Sequence, residues 1–228
     1  MVRHQVSLAA SDAIESLFSV MREAMEYGVE LKRFHTDNGI FKSKAFVEAL
    51  KDNYQMITKS GVGAHHQNGV TEQAIRTVQA MSQAMLLHVW LHCPDEFNPT
   101  LWPFALNYTV EIYNNLLTKV KNGLCPNKVF TGIILGCGPL KQLRVFGCPC
   151  YVLDPRIQDG KKIPKWEPRA CAEQFLGFSK EHSSEVGLVQ KLRTGQIMAQ
   201  FHVVFDEMFH TVTTEMEINL EETWIDLF

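Results

Sequence analysis

Two carboxylates stand out by residue type and place. Asp37 falls where an extended run, VELKRFHT over 29–36, gives way to the turn pair Asn38-Gly39, a rim position from which an acid faces solvent. Glu72 falls in the first turn of a helical pattern, just after the glycine- and histidine-rich loop GVGAHHQNG. Acids from two neighbouring elements suit Mg²⁺, which takes one or two carboxylates and completes its shell with water and phosphate oxygens. Each acid also has a purely structural reading. Asp before Asn-Gly is a common turn former, and Glu in a first helical turn complements the helix dipole. On spacing alone both readings stand. Cys148 and Cys150 make a Cys-x-Cys with no second pair, which is poor zinc spacing, and they read as buried strand thiols. Lys161, Lys162, Lys165 and Arg169 share one stretch with Trp166, which reads either as a solvated loop or as a contact for a nucleic-acid backbone.

The elements that must hold these side chains follow from hydrophobic period. Residues 3–9, RHQVSLA, predict a short strand. A helix follows, with Asp12 as N-cap, Glu15 at capping-box spacing, and Ile14, Leu17, Phe18, Met21 and Met25 at helical intervals. Gly28 is its stop signal. Residues 29–36 predict a second strand, about 44–53 a helix that packs Phe46, Val47 and Leu50, and 54–59 a third strand. The helix from about 70 to 89 buries Ala74, Val78, Met81, Met85 and Val89, and puts Glu72, Arg76, Gln79 and Gln83 on another face. After a break at 93–99 comes a further helix with Trp102, Phe104, Ala105, Tyr108, Ile112 and Leu116. This alternation predicts an α/β layer domain over 1–135. From Leu143 the pattern changes to short apolar strands, LRVFGCPCYVL, AEQFLGFS, GLVQKL and IMAQFHVVFD, which predict a small all-β unit over 143–212. Residues 213–228 read as a flexible acidic linker.

Bulk composition narrows the class. The chain has 228 residues, 46% apolar and 21% charged, as ordinary globular proteins do. Nothing in it nears the run of about 18 apolar residues that a membrane span requires. The opening MVRHQVSLAASD has no apolar core of a signal peptide, and six cysteines without an export signal suggest reduced thiols in the nucleus or cytoplasm. Charge is uneven along the chain. Residues 1–140 carry 12 basic and 12 acidic side chains, 141–194 carry 10 and 6, and 195–228 carry none and 7. A basic block ahead of an acidic tail is compatible with an anionic partner for the middle segment, or with a solvated surface.

Five blocks, HTDNGIFKSKAF, HHQNGVTEQAIRT, LWPFALNY, LRVFGCPCYV and AEQFLGFS, lie over residues 34–178 in an order that resembles the integrase of Ty1/copia-type LTR retrotransposons. The resemblance continues through FHVVFDEMF, to about residue 212. It implies an RNase H-like core over 1–135, an SH3-like β module over 143–212, and DNA integration by 3′-end processing and strand transfer. An Asp, Asp, Glu triad holding two Mg²⁺ or Mn²⁺ ions is implied with it, Asp37 matching the second acid and Glu72 the third. Such ions activate the attacking hydroxyl and stabilise the leaving oxygen. The resemblance further implies that Arg76, His65, His66, Gln67 and Asn68 meet DNA near the reactive phosphate, with Lys161, Lys162, Lys165 and Arg169 assisting from the β module. Element ends and target DNA are the implied partners, along with a second copy or intact integrase.

The match has gaps. The family's first aspartate has no counterpart here. Only residues 1–36 precede Asp37, and they match just the third strand and first helix of the core, so the chain reads as N-terminally truncated with an incomplete sheet. It also reads as catalytically incomplete on its own, leaving a non-enzymatic DNA-binding or assembly role as the alternative. Glu72 lies 35 positions after Asp37, one fewer than the family's usual spacing. Gln73 replaces an Arg, and Ala64-His65-His66 replaces a Pro-Gln pair. With the central strands missing, strand 3–9 is expected to pair in parallel beside strand 29–36 across a helical crossover.

Overall fold

The structure is a computed structural model that describes residues 3–5, 7, 9–36, 41, 43–61, 68–117, 123–132 and 142–212. It is a mixed α/β chain that divides into two compact units, one of residues 1–79 with 110–137 and the other of 80–109 with 138–228.

In the first unit, α1 (Ala10–Glu26) and α2 (Lys44–Asp52) pack against a parallel pair, β1 (Arg33–Thr36) and β2 (Met56–Lys59). Parallel strands cannot be joined by a tight turn, and α2 supplies the crossover. Ala13 and Leu17 of α1 meet Phe46 and Leu50 of α2, and Phe34, Phe41 and Ile57 close round them. Gly28 ends α1 as expected. It takes φ +72°, its N–H donates to Met25 O and that of Val29 to Ala24 O, the reciprocal pair of a Schellman cap. α2 begins at Ser43, whose hydroxyl accepts from Phe46 N–H, and ends in the same pair of bonds as α1. There the left-handed position falls to Tyr54, at φ +56°. The unit also holds α5 (Pro126–Thr131), which was not expected from sequence.

The strand expected at 3–9 does not form among its described residues, and β1 pairs with β2 alone. The polar content of RHQVSLA explains this. Arg3 pairs with Glu23, Gln5 Nε2 donates to Ser16 Oγ at 2.9 Å, and Ser7 donates from N–H and Oγ to Asp12 Oδ2 at 3.1 and 2.7 Å. These side chains are drawn to α1, and Ser7 N–H, a group that a ladder would use, is taken by Asp12 instead. Asp12 is consequently not the N-cap. That position is Ala9, and Asp12 sits inside the first turn with its pKa lowered by the hydroxyls of Ser7 and Ser11.

Helix α3 (Gly69–His92) passes from the first unit to the second at Gln79, and α4 (Trp102–Asn115) returns at Val110. In the second unit these helices meet a five-stranded antiparallel sheet. Its strands are β3 (Pro149–Leu153), β4 (Ala170–Phe178), β5 (Gly187–Lys191), β6 (Ile197–Gln200) and β7 (Val203–Phe205), in the order β6-β5-β4-β3-β7. A short helix, α6 (Pro155–Gln158), follows β3. The run IMAQFHVVFD, expected as one strand, breaks at Phe201-His202 into strands on opposite edges of the sheet. Three Cα steps reach at most about 11 Å, whereas the edges of a flat five-stranded sheet would stand about 19 Å apart. The sheet is therefore rolled.

Aromatic packing fills it. Phe175 makes edge contacts with Tyr108, Phe178 and Phe205 at 5.9, 5.2 and 5.1 Å between centroids. Tyr108 is pinned at its other end, where its hydroxyl donates to Arg144 O at 2.7 Å and accepts from Arg144 N–H at 2.9 Å. Cys148 and Cys150 are both fully buried, as expected, but only Cys150 lies on a strand; Cys148 stands just ahead of β3. Burial pushes the Cys148 thiol up to about 12 and raises that of Cys150 further.

Candidate nucleic-acid interface

Glu72 is the fourth residue of α3, and its carboxylate is partly exposed. Arg76 follows one turn later, with Nη2 3.6 Å from Glu72 Oε2. An i,i+4 pair at this distance and exposure is worth at most about 0.5 kcal/mol. Either partner is therefore readily drawn to a stronger one. Gln73, standing where the resemblance implies an Arg, bonds within its own helix to Thr77. Asn68 is half-buried just before the helix. Val70 and Ile75 are exposed on the same stretch, an apolar content that the acid-centred sequence reading missed. Asp37, His65, His66 and Gln67 lie outside the described residues, as does most of the loop that holds them. Among the described residues no three His, Cys, Asp or Glu side chains are grouped so as to hold a metal ion.

The basic cluster belongs to the second unit, on the connection between α6 and β4. Asp154 caps α6, its Oδ1 accepting from Arg156 N–H at 2.8 Å. The Arg156 guanidinium then forks. Its Nε and Nη2 reach the two Asp154 oxygens at 3.1 and 3.0 Å, and Nη2 also reaches Glu167 Oε2 at 2.9 Å. One cation thus ties the start of the loop to its far end, and it holds the Asp154 pKa below the usual carboxylate range. Backbone bonds support the same shape: Lys161 N–H to Arg156 O at 2.8 Å, Glu167 N–H to Pro164 O at 3.1 Å, and Asp154 N–H to Arg169 O at 2.9 Å.

On this frame the expected cations are displayed. Lys161, Lys162, Lys165 and Arg169 are all exposed, with Lys161 paired to Asp159 at 3.2 Å. Lys165 Nζ stands 5.9 Å from the centre of the Trp166 ring. Sequence reading found these cations but not the fork that shapes their loop. The signal was Asp154, Arg156 and Glu167, whose mutual bonding depends on a fold that spacing does not reveal. The structure brings the four loop cations together in one unit and Glu72 with Arg76 in the other.

No protein-family model matches the chain. It is 30% identical over 142 residues to the retrovirus-related Pol polyprotein from transposon RE2 of Arabidopsis thaliana, covering 61% of this chain and 9% of that protein. It is 26% identical over 204 residues to the corresponding polyprotein from transposon RE1 of the same plant, covering 88% of this chain and 13% of that one. The chain thus spans about a tenth of the length of these relatives. Among solved structures it is similar to a chain in the cryo-EM structure of the simian T-cell lymphotropic virus intasome in complex with PP2A regulatory subunit B56 gamma. That likeness has a TM-score of 0.41 and 17% identity, and covers 88% of this chain and 63% of the other. By sequence, the chain is similar to retrovirus-related Pol polyproteins of transposons.

Proposed function

We propose that this chain is an integrase segment of a retrotransposon polyprotein whose own contribution is to bind DNA. The observation that carries this reading is the similarity to transposon Pol polyproteins over 142 and 204 residues, with HTDNG and HHQNGVTEQAIRT in the order integrases have them. The parallel β1-α2-β2 unit ahead of α3 supports an RNase H-like core. The rolled five-stranded sheet supports an SH3-like module after it.

Asp37 and Glu72 are the two residues that would hold Mg²⁺ or Mn²⁺. A divalent pair at such a site activates a hydroxyl or water and offsets charge that builds on the phosphate. The chain's own residues do the rest: Arg76 and Asn68 flank the acid, and Lys161, Lys162, Lys165 and Arg169 meet the backbone from the second unit. His65, His66 and Gln67 are assigned to the same DNA face as Asn68. Element ends and target DNA are the partners, in the nucleus or cytoplasm, with a second copy or intact integrase as the protein partner. The chain's own assignment is DNA binding; end processing and strand transfer are the activities that the resemblance implies for an integrase as a whole.

Fluorescence anisotropy with labelled duplex across a salt series tests the reading. Affinity should fall steeply with salt, by a log–log slope of about 0.9 per phosphate neutralised. Absence of binding at low salt would refute it. Added Mn²⁺ should tighten binding in the wild type, and Asp37→Asn and Glu72→Gln should abolish that gain. An unchanged Mn²⁺ response in both variants would remove the metal assignment while leaving DNA binding standing.

A further inference from the structure

Trp166 is 92% exposed, in a basic loop tied at both ends by Arg156. An indole is the largest apolar side chain, and leaving one in water forgoes the stabilisation that burial would give. Nor is the exposure a by-product of a slack loop. Pro164 and Pro168 stand two residues to either side and fix their own φ angles. Glu167, the next residue, is tied to Arg156, which is itself tied to Asp154. The fold holds the ring out on a braced arm, with Lys165 within cation–π range and Lys161, Lys162 and Arg169 nearby in the chain.

We propose that Trp166 is a stacking platform for an unpaired nucleobase, with the neighbouring lysines binding the phosphates on either side of it. This rests on the nucleic-acid reading above and narrows it to one strand form. A planar aromatic surface is complementary to the face of a base, and cations beside it are complementary to the attached phosphates. In a duplex the base faces are covered by their stacked neighbours, so the ring finds its partner only on single-stranded, frayed or looped nucleic acid. Phosphate contacts made by the lysines do not distinguish the two forms. The loop as a whole therefore binds any DNA backbone, and the tryptophan adds a preference for unpaired strands.

The experiment is anisotropy on the full chain with a short mixed-sequence labelled strand, alone or annealed to its complement. Trp166→Ala should weaken single-strand binding roughly fivefold to a hundredfold, the range seen when one base-stacking aromatic is removed. Duplex binding should move by less than about twofold, since the backbone contacts remain. Trp166→Phe keeps a ring and should retain most of the single-strand affinity. Lys162→Ala should weaken both forms and reduce the salt slope by about 0.7 to 0.9. The ring is solvent-exposed, so melting of the variants should match the wild type, and circular dichroism checks that.

Wild-type binding to DNA with single-strand affinity unchanged in Trp166→Ala would overturn the stacking role and leave nucleic-acid binding intact. Equal losses on strand and duplex would also overturn it. So would loss of self-association in sedimentation velocity with unaltered DNA binding, which would make Trp166 a protein contact. Wild-type protein that binds neither form at low salt would remove this proposal together with the reading beneath it.

Discussion

Among the described glycines of the second unit, Gly147 is the least able to accept a side chain. It lies at φ +73°, and a Cβ built on it would stand 2.0 Å from Val89 Cγ2 and 3.2 Å from Val89 Cβ and Cγ1. Carbon atoms in ordinary contact sit about 3.5–4.0 Å apart. Neither partner can retreat easily. Val89 is 3% exposed and β-branched within α3, where χ1 is largely confined to one rotamer. Gly147 is held to β4, its N–H donating to Phe175 O at 2.8 Å while Phe175 N–H returns to Cys148 O at 3.1 Å. Gly147→Ala should cost about 1–2 kcal/mol for the left-handed backbone and about 1–3 kcal/mol for overpacking. The total is about 2–5 kcal/mol, a large share of the stability of a typical domain. Urea titration followed by far-UV circular dichroism measures this. Val89→Ala separates the two parts: it removes both Cγ overlaps, the 2.0 Å one included, and leaves the φ cost with a single tight Cβ contact at 3.2 Å. The double variant should therefore be more stable than the sum of the single changes predicts, by about 1–3 kcal/mol. A cost for Gly147→Ala below about 1 kcal/mol, or strict additivity with Val89→Ala, would refute the packing argument.

Three further outcomes follow from the same geometry. Tyr54 occupies the left-handed position after α2 with its side chain 96% exposed, so Tyr54→Gly relieves strain and removes little packing; chemical denaturation should show a gain of about 0.5–1 kcal/mol. The thiols of Cys93 and Cys148 are pushed up to about 12 by burial first and by nearby acids second, so at mildly alkaline pH alkylation mapped by mass spectrometry should label exposed Cys171 quickly and those two only on unfolding. Asp206 accepts from Thr211 Oγ1 and N–H at 2.7 and 2.8 Å, which lowers its folded pKa; that stability is present above the ordinary carboxylate range and lost as pH falls through the folded value, so the stability gap between wild type and Asp206→Asn should close on acidification.

Local periodicity made the long elements legible. α3 came from a stripe whose Val78 and Val89 are buried, α2 from Phe46 and Leu50, and the end of α1 from one glycine. What failed depended on where polar groups find partners. The alternation in RHQVSLA fits a strand, yet Ser7, Gln5 and Arg3 bond to side chains of α1, and no local pattern encodes that choice. The break at Phe201-His202 was equally hidden. Both halves of IMAQFHVVFD have strand chemistry, and only the closure of the sheet requires the chain to change edges between them. The candidate site divides the same way. Glu72, Arg76 and the lysines could be named from motif and composition, since charge needs no context to be counted. The Arg156 fork and the presentation of Trp166 could not, because each depends on residues brought together by the loop's path.

That path separates two jobs within the second unit. The aromatic set of Tyr108, Phe175, Phe178 and Phe205 stabilises the sheet by burial, and every member touches another. The loop between α6 and β4 puts none of its cations or its tryptophan into that core; its shape comes from a guanidinium fork and a few backbone bonds. Exposed ion pairs contribute little to global stability, so the fork matters for where the loop stands more than for whether the sheet folds. Arg156 is accordingly a positioning residue. It fixes the arm on which Trp166 and the lysines are carried, while the fold that supports the arm is set elsewhere. Charge and ring identity in the loop can therefore be altered with little effect on the core, which is why its residues can be tested one at a time.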